Sequence, residues 1–186
     1  TDVTRCVSLD AKMAGDLVYL IGETADQLGG SEYYDLLGKV GLNVPQVNAA
    51  HFIHRYRVLA RAMEKGLVAS VHGVYRGGLA VHLPMVAMAG CLGMTVRLAD
   101  VTWQGDTDKR RDDRMLFSET PGRFIVTVAP SNRADFEKLF SGAGAKHVGE
   151  VTGANDPLLI MGSDGTEKVR LSVASMKQAY KKRFGD

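Results

Sequence analysis

The sequence predicts an α+β domain: a mixed β-sheet packed with helices. Three observations lead there. Short apolar runs at residues 16–21 and 124–128 have the length and composition of buried strands. An amphipathic stretch after Asn48 and an almost wholly apolar one after Gly78 read as helices. Late in the chain, strand-like runs follow one another with no helix between them, which argues against a regular doubly wound alternation.

Residues 1–14 are mixed and small, as expected of an arm or a strand severed from a preceding domain, with the domain proper at 15–186. Gly15 marks a break, and the strand at 16–21 ends at Gly22. Residues 24–28 are expected to form a helical turn. Ser31, after Gly29 and Gly30, is an N-cap candidate for a short helix. Asn48 opens the most regular helix, with Ala49, Phe52, Ile53, Tyr56, Leu59, Ala60 and Met63 as its expected buried face and Gly66 as its C′ residue. A buried strand at 69–74, a turn through Arg76, Gly77 and Gly78, and an apolar helix follow. Residues 94–98 form a strand, and 99–113 a long surface loop whose mixed charges are solvated. The turn at 116–123 leads into the core strand 124–128; Asn132 caps a short helix carrying Phe136, Leu139 and Phe140. Strands at 145–151, 157–161 and 168–171 precede a last helix from Ser172. Its apolar stripe is Val173, Met176, Tyr180 and Phe184, and Lys181, Lys182 and Arg183 suit the negative end of its dipole.

Composition narrows the function classes. With 186 residues, 45% of them hydrophobic and 24% charged, the chain can bury a core as one domain. A formal charge of +2, with no basic run interleaved with aromatics, argues against nucleic acid. No window approaches the ~20 apolar residues of a membrane span, and no signal-peptide pattern is present. Cys6 and Cys91 lack CxxC spacing, so neither a disulfide framework nor a zinc site is expected, and a reducing, cytoplasmic setting is. The start at Thr1 suggests a longer parent chain.

Chemistry concentrates at the glycine turn. A strand feeding Gly77-Gly78 and a helix N-terminus leaves backbone amides uncommitted, and these, with the helix dipole, favour an anion. Gly30 and Ser31 form a second glycine-led helix start, either another anion cradle or an ordinary cap. His51 and His54 lack a third metal ligand nearby, and His72 has no nucleophile to serve, so no catalytic or metal residue is expected. Glu119 and Arg123 either face a ligand or form a salt bridge across their turn.

Three segments, in one order, carry a resemblance. They are Gly15 to Gly22 (GDLVYLIG) with Leu28 to Tyr33 (LGGSEY); Gly66 to His72 (GLVASVH) through Gly77 to Ala80 (GGLA) to Ala87 to Gly90 (AMAG); and Leu116 to Phe124 (LFSETPGRF) with Gly149 to Gly153 (GEVTG). Together they resemble the carboxy-terminal synthetase domain of the phosphoribosylformylglycinamidine synthase family, from about Gly15 to the final helix. A sister family, selenophosphate-synthetase-like or hydrogenase-maturation, fits LGGSEY and FSETPGR less well.

The resemblance implies an aminoimidazole-ribonucleotide-synthetase-like carboxy-terminal fold, the last of four parts of a tandem enzyme. That enzyme converts formylglycinamide ribonucleotide, ATP and glutamine-derived ammonia to formylglycinamidine ribonucleotide in purine biosynthesis. Its implied partners are the preceding synthetase domains and a glutaminase subunit or domain. ATP or ADP and Mg²⁺ belong to the full enzyme, with none expected on this stretch alone, and the isolated piece is expected to be inactive. Its principal active site lies largely in the first tandem copy, so this copy is expected to line an auxiliary nucleotide site and pack domains together. The alternative is a non-catalytic structural module with a degenerate site. The candidate nucleotide-side residues are His72, Arg76, Gly77, Gly78, Gly30, Ser31, Glu119 and Arg123.

Departures from the family sharpen the choice. Its pattern at the turn is His-Asp-x-Ser-Asp-Gly-Gly-Leu; here His72, Gly77, Gly78 and Leu79 match, while Gly73, Tyr75 and Arg76 replace Asp, Ser and Asp. A magnesium–nucleotide site loses its carboxylates by these exchanges. Either the turn survives for packing alone, or Arg76 and the glycine amides hold an anion without metal. Pro84 stands where a helix interior is expected, at a cost of about 3 kcal/mol, and predicts a kink or restart. A domain that normally meets others should expose an apolar face, so self-association is expected, through the sheet.

Overall fold

A strand buried on both faces has no polar side to present, and β1 (Leu17–Ile21) is such a strand. Val18 and Leu20 enter one cluster of core residues, and Tyr19 and Ile21 the other, as the two-residue period of a strand requires. In the computed structural model, which describes residues 2–182, β1 lies inside a seven-stranded sheet.

The remaining elements in chain order are β2 (Thr24–Ala25), α1 (Glu32–Leu36), α2 (Ala49–Glu64), β3 (Ser70–Val74), α3 (Leu79–Gly90), β4 (Met94–Arg97) and β5 (Trp103–Gln104). After these come α4 (Asp112–Phe117), β6 (Arg123–Val128), α5 (Arg133–Leu139), β7 (Ala145–Val151), β8 (Leu158–Met161), β9 (Glu167–Leu171) and α6 (Val173–Lys182). The sheet order is β3-β6-β1-β7-β4-β8-β9, antiparallel throughout except for the parallel β4–β8 pair. This is the mixed α+β sheet that the adjoining late strands predict.

Each face has its own helices. Leu79, Leu83 and Val86 of α3, Met115 of α4 and Met176 of α6 cover Val18, Leu20 and Ile125. On the other face Val58, Leu59 and Ala62 of α2 join Phe136 of α5 over Tyr19, Ile21 and Val126. Fully burying one such large side chain is worth about 1.5–3 kcal/mol.

The structure corrects several expectations. Residues 24–28 are not a helical turn: β2 pairs in parallel with β5, begun by the Thr24 amide donating to the Thr102 carbonyl at 2.9 Å. The loop 99–113 contains β5 and the start of α4, and its charges are in part engaged, Arg111 with Asp113 at 2.8 Å and Arg110 with the Ala99 carbonyl at 2.7 Å. Pro84 does not divide α3, which is one helix from Leu79 to Gly90. Asn132 precedes α5 but its side chain does not cap it; the amide donates to the Gly66 carbonyl at 3.2 Å.

The largest revision is in α2. Asn48 caps it, accepting from the His51 amide at 3.0 Å, and Gly66 follows its end as expected. Its buried residues, however, are Val58, Leu59 and Ala62, while Phe52, Ile53 and Tyr56 are exposed. In α6 Met176 is buried and Tyr180 exposed; Arg183 and Phe184 lie outside the described residues. Cys6 and Cys91 are free and exposed. In the segment before β1, buried Ala11 donates to the Val86 carbonyl of α3 at 3.2 Å.

Candidate functional site

The turn between β3 and α3 demands glycine twice. Gly77 and Gly78 have φ of 83° and 63°, in the left-handed region that L side chains avoid. A Cβ on Gly78 would also lie 2.5 Å from the carbonyl oxygens of Leu116 and Ser118. The turn is thereby pressed onto the segment that follows α4, and that segment carries Glu119.

Glu119 fills the place an anion would take. Its Oε1 accepts from the Gly77 amide at 2.8 Å and from the Glu32 amide at 3.0 Å. One carboxylate oxygen thus satisfies donors of both glycine-led helix starts. Three further amides of the two turns are engaged within the protein. Gly78 donates to the Tyr75 carbonyl at 3.0 Å, Gly30 to Val40 at 2.7 Å, and Ser31 to Leu28 at 3.1 Å. The Ser31 hydroxyl accepts from the Tyr34 amide at 3.2 Å, as an ordinary cap does. Arg76 forms an ion pair with Glu32 across the two starts, with its guanidinium largely in solvent. The structure therefore brings Arg76, Gly77, Glu119 and the start of α1 together.

Arg123 stands behind this junction, with its guanidinium turned onto the protein's own backbone. Buried to 1% exposure, it donates from Nε to the Thr120 carbonyl at 2.9 Å, from Nη1 to the Thr24 hydroxyl at 2.9 Å, and from Nη2 to the Ser118 carbonyl. Burial lowers its pKa to about 9, against the pull of the Glu119 charge, so it stays a cation at neutral pH. It forms no ion pair with Glu119 in the described structure; it fixes the backbone of the turn on which Glu119 rides.

His72 is half-buried and its Nε2 lies 2.8 Å from Nδ1 of His82, whose Nε2 lies 3.2 Å from the Arg76 carbonyl. A carbonyl only accepts, so Nε2 of His82 carries a proton, its Nδ1 accepts, and His72 donates from Nε2. Burial, reinforced by the neighbouring His72, pushes His82 down to about 4; burial lowers His72 as well. Both rings are neutral at pH 7, a hydrogen-bonded relay that supports the turn.

Tyr75 closes the outer side. A Cβ on Gly73 would lie 2.2 Å from the Tyr75 hydroxyl oxygen, so the phenol lies over the space that a side chain at 73 would claim. Its ring meets His72 and His82 edge-on, with centroids 6.4 and 5.6 Å apart.

Two participants, Glu32 and His82, are absent from the sequence reading, and Tyr75 figures there only as a departure from the family pattern. Glu32 was legible as an acid in the first turn beside Ser31, and His82 as a lone imidazole in an apolar helix. The role of Tyr75 as a lid over Gly73 has no local signal. A magnesium–nucleotide group does not fit this donor set. Its carboxylate is engaged by two amides, a guanidinium stands where an acid would be needed, and no group of three or more metal-binding side chains occurs among the described residues. A cleft of about 740 Å³ beside Trp103, Lys146 and His147 shares no residue with the turn.

Comparison with known proteins places these features. Residues 13–162 match the family described as AIR synthase related protein, C-terminal domain. The chain is 36% identical over 155 residues to phosphoribosylformylglycinamidine synthase subunit PurL of Limosilactobacillus reuteri, covering 83% of this chain and 19% of that protein. It therefore spans about a fifth of the length of that relative. In three dimensions it resembles phosphoribosylformylglycinamidine synthase II of Thermotoga maritima with a TM-score of 0.78 at 17% identity, over 95% of this chain and 28% of the other. The Thermotoga maritima PurL complexed with ADP superposes with a TM-score of 0.71 at 18% identity, over 94% of this chain and 27% of the other. At such identities these structures share the fold.

Proposed function

This chain belongs to the AIR synthase related family through its C-terminal domain, and we propose that it serves as a non-catalytic assembly unit of a phosphoribosylformylglycinamidine synthase. In that reading residues 1–14 are the joining arm and 15–186 the domain. The preceding synthetase parts carry ATP, Mg²⁺ and the ligation. Ammonia comes from a glutaminase partner, in the cytoplasm. This piece supplies surfaces rather than reacting groups.

One observation carries the choice between this and an auxiliary nucleotide wall. The Gly77 and Glu32 amides, one at each of the two glycine-led helix starts, already share Oε1 of Glu119. A phosphate would have to displace a charge-assisted pair of hydrogen bonds and bring its own charge beside a carboxylate. Arg76, at the turn's rim, is drawn onto Glu32.

The test follows the two amides by NMR while ADP with Mg²⁺, or inorganic phosphate, is titrated into the chain. The expected result is no saturable shift at Gly77 or Glu32 in the parent, and a phosphate-dependent shift at both in Glu119→Ala. A saturable, Mg²⁺-dependent shift of Gly77 in the parent would establish the nucleotide wall instead.

A further inference from the structure

Cys91, just past the end of α3, is fixed by its backbone and has an amine beside its sulfur. Among the described residues it is the one non-glycine with positive φ, at 57°. Its amide donates to the Met88 carbonyl at 3.3 Å, and the next two, of Leu92 and Gly93, donate to the Ala87 and Gly153 carbonyls at 3.1 and 3.0 Å. Gly90, before it, is pressed onto the segment ahead of β1, since a Cβ there would lie 2.1 Å from the Ala11 carbonyl oxygen. Cys91 is nonetheless exposed, so a small oxidant can reach it.

The amine comes from α6. Met176, the buried residue of that helix, enters the core cluster that holds Leu83, Val86 and Ala87 of α3, and Lys177 follows it in the chain. Nζ of Lys177 donates to Sγ of Cys91 at 2.8 Å, across 86 residues of sequence. Reacting atoms are poised for attack at ~3–3.5 Å, and this nitrogen and sulfur already stand that close. Cys6 is also exposed, but it lines a groove beside α2, over the opposite face of the sheet. An oxidised Cys91 therefore meets an amine of its own chain before it meets a second thiol.

We propose that Cys91 and Lys177 form a peroxide-reactive pair that closes to a sulfenamide, a covalent S–N bond between α3 and α6. In the first step the Cys91 sulfur attacks hydrogen peroxide and the O–O bond breaks. Sulfur keeps one hydroxyl group and is oxidised by two electrons, while its proton leaves with the other oxygen as water. Sulfenic acids condense with a nearby thiol or nitrogen. In the second step the Lys177 nitrogen, its ammonium proton given up to solvent, attacks that sulfur. The S–N bond forms, the S–O bond breaks, and the hydroxyl leaves as water with a hydrogen from the nitrogen. No further oxidant is consumed. Two equivalents of a thiol reverse the bond, returning the Cys91 thiol and the Lys177 amine and forming their own disulfide. While closed, the bond ties α6, in which Met176 is the buried residue, to the end of α3. The Gly77 turn lies at the other end of α3, and the proposal is independent of the function proposed above.

Peptide mapping by mass spectrometry, after the purified chain has met limiting hydrogen peroxide, tests it. The expected product is a peptide containing Cys91 joined to one containing Lys177, lighter than their sum by two hydrogen atoms and separated again by dithiothreitol. Cys6→Ser should leave that product unchanged. Lys177→Gln should abolish it and leave a Cys91 sulfenic acid that dimedone captures, and Cys91→Ser should abolish both signals. Unfolding the parent in urea before adding peroxide should also lose the joined pair, which ties the reaction to the folded contact without any substitution. A parent in which Cys91 stays a thiol, or gains oxygen while Lys177 stays unmodified, overturns the proposal. So does a joined pair that retains an oxygen atom, or one that forms equally well in the unfolded chain.

Discussion

The Gly77 turn and the outer face of α2 are opposites. The turn bears the residues that mark the family, yet several of its donors are engaged within the protein: Glu119 takes the Gly77 and Glu32 amides, and Glu32 takes Arg76. The α2 face bears no motif, yet its apolar surface has no cover among the described residues. The difference lies in what kind of need each group has. A hydrogen-bond donor is satisfied by one well-placed acceptor, and an internal carboxylate does that without a ligand. Apolar area is satisfied only by more area. A motif can therefore outlive its ligand by being plugged, whereas an unpaired apolar stripe points to a partner surface.

The contrast can be broken most forcefully at Arg123. If the turn is held shut by the backbone it stands on, removing the guanidinium should cost more than any change on the α2 face. Arg123→Met leaves the Ser118 and Thr120 carbonyls and the Thr24 hydroxyl without that donor. Buried unsatisfied acceptors at ~1–3 kcal/mol each predict a loss of about 3 kcal/mol or more in urea unfolding. Stability within 1 kcal/mol of the parent would mean that the turn does not depend on this residue.

An effect no larger, but of definite sign, is expected from His82. Its folded pKa, about 4, lies below the ordinary 6.5, so between those values the unfolded chain binds the extra proton. Stability is thus complete above pH 6.5 and falls as pH drops toward 4. The groups bearing on the ring are His72, the Arg76 carbonyl, Arg123 and Glu119. The expected loss is about 3 kcal/mol over that window. His82→Gln lacks the titration, so its deficit relative to the parent should shrink as pH falls. Parallel stability curves would remove His82 from the account.

What the sequence disclosed follows the same physics. β1 was legible because it is an unbroken apolar run, and the Gly77-Gly78 pair because only glycine suits its dihedrals. β2 and β5 are two residues each, too short for any period to register, and exist because the chain brings Thr24 to Thr102. The stripe of α2 was legible as apolar, but periodicity does not say which surface covers it. The core took Val58, Leu59 and Ala62 and left Phe52, Ile53 and Tyr56 outside. At the site, the anion cradle was legible and its occupant was not, since Glu119 lies 42 residues from Gly77. Arg123, after a Pro-Gly turn, reads as a surface cation until the fold buries it.

The finest test asks whether Tyr75 and Gly73 form one device. Adding a methyl at 73 places it 2.2 Å from the Tyr75 hydroxyl oxygen, at the free end of a side chain that is 63% exposed. The phenol can swing away, so Gly73→Ala should cost at most about 1 kcal/mol, the worth of the ring's edge-on contacts with His72 and His82. With Tyr75→Ser already in place the same methyl meets no obstacle, and replacing a strand glycine should then stabilise by about 0.5 kcal/mol. Urea unfolding of the parent, both single variants and the pair measures that reversal of sign as a coupling energy. If the two changes simply add, Tyr75 is a bystander and the space over Gly73 is free for a ligand, which would reopen the side of the turn that the other contacts leave closed.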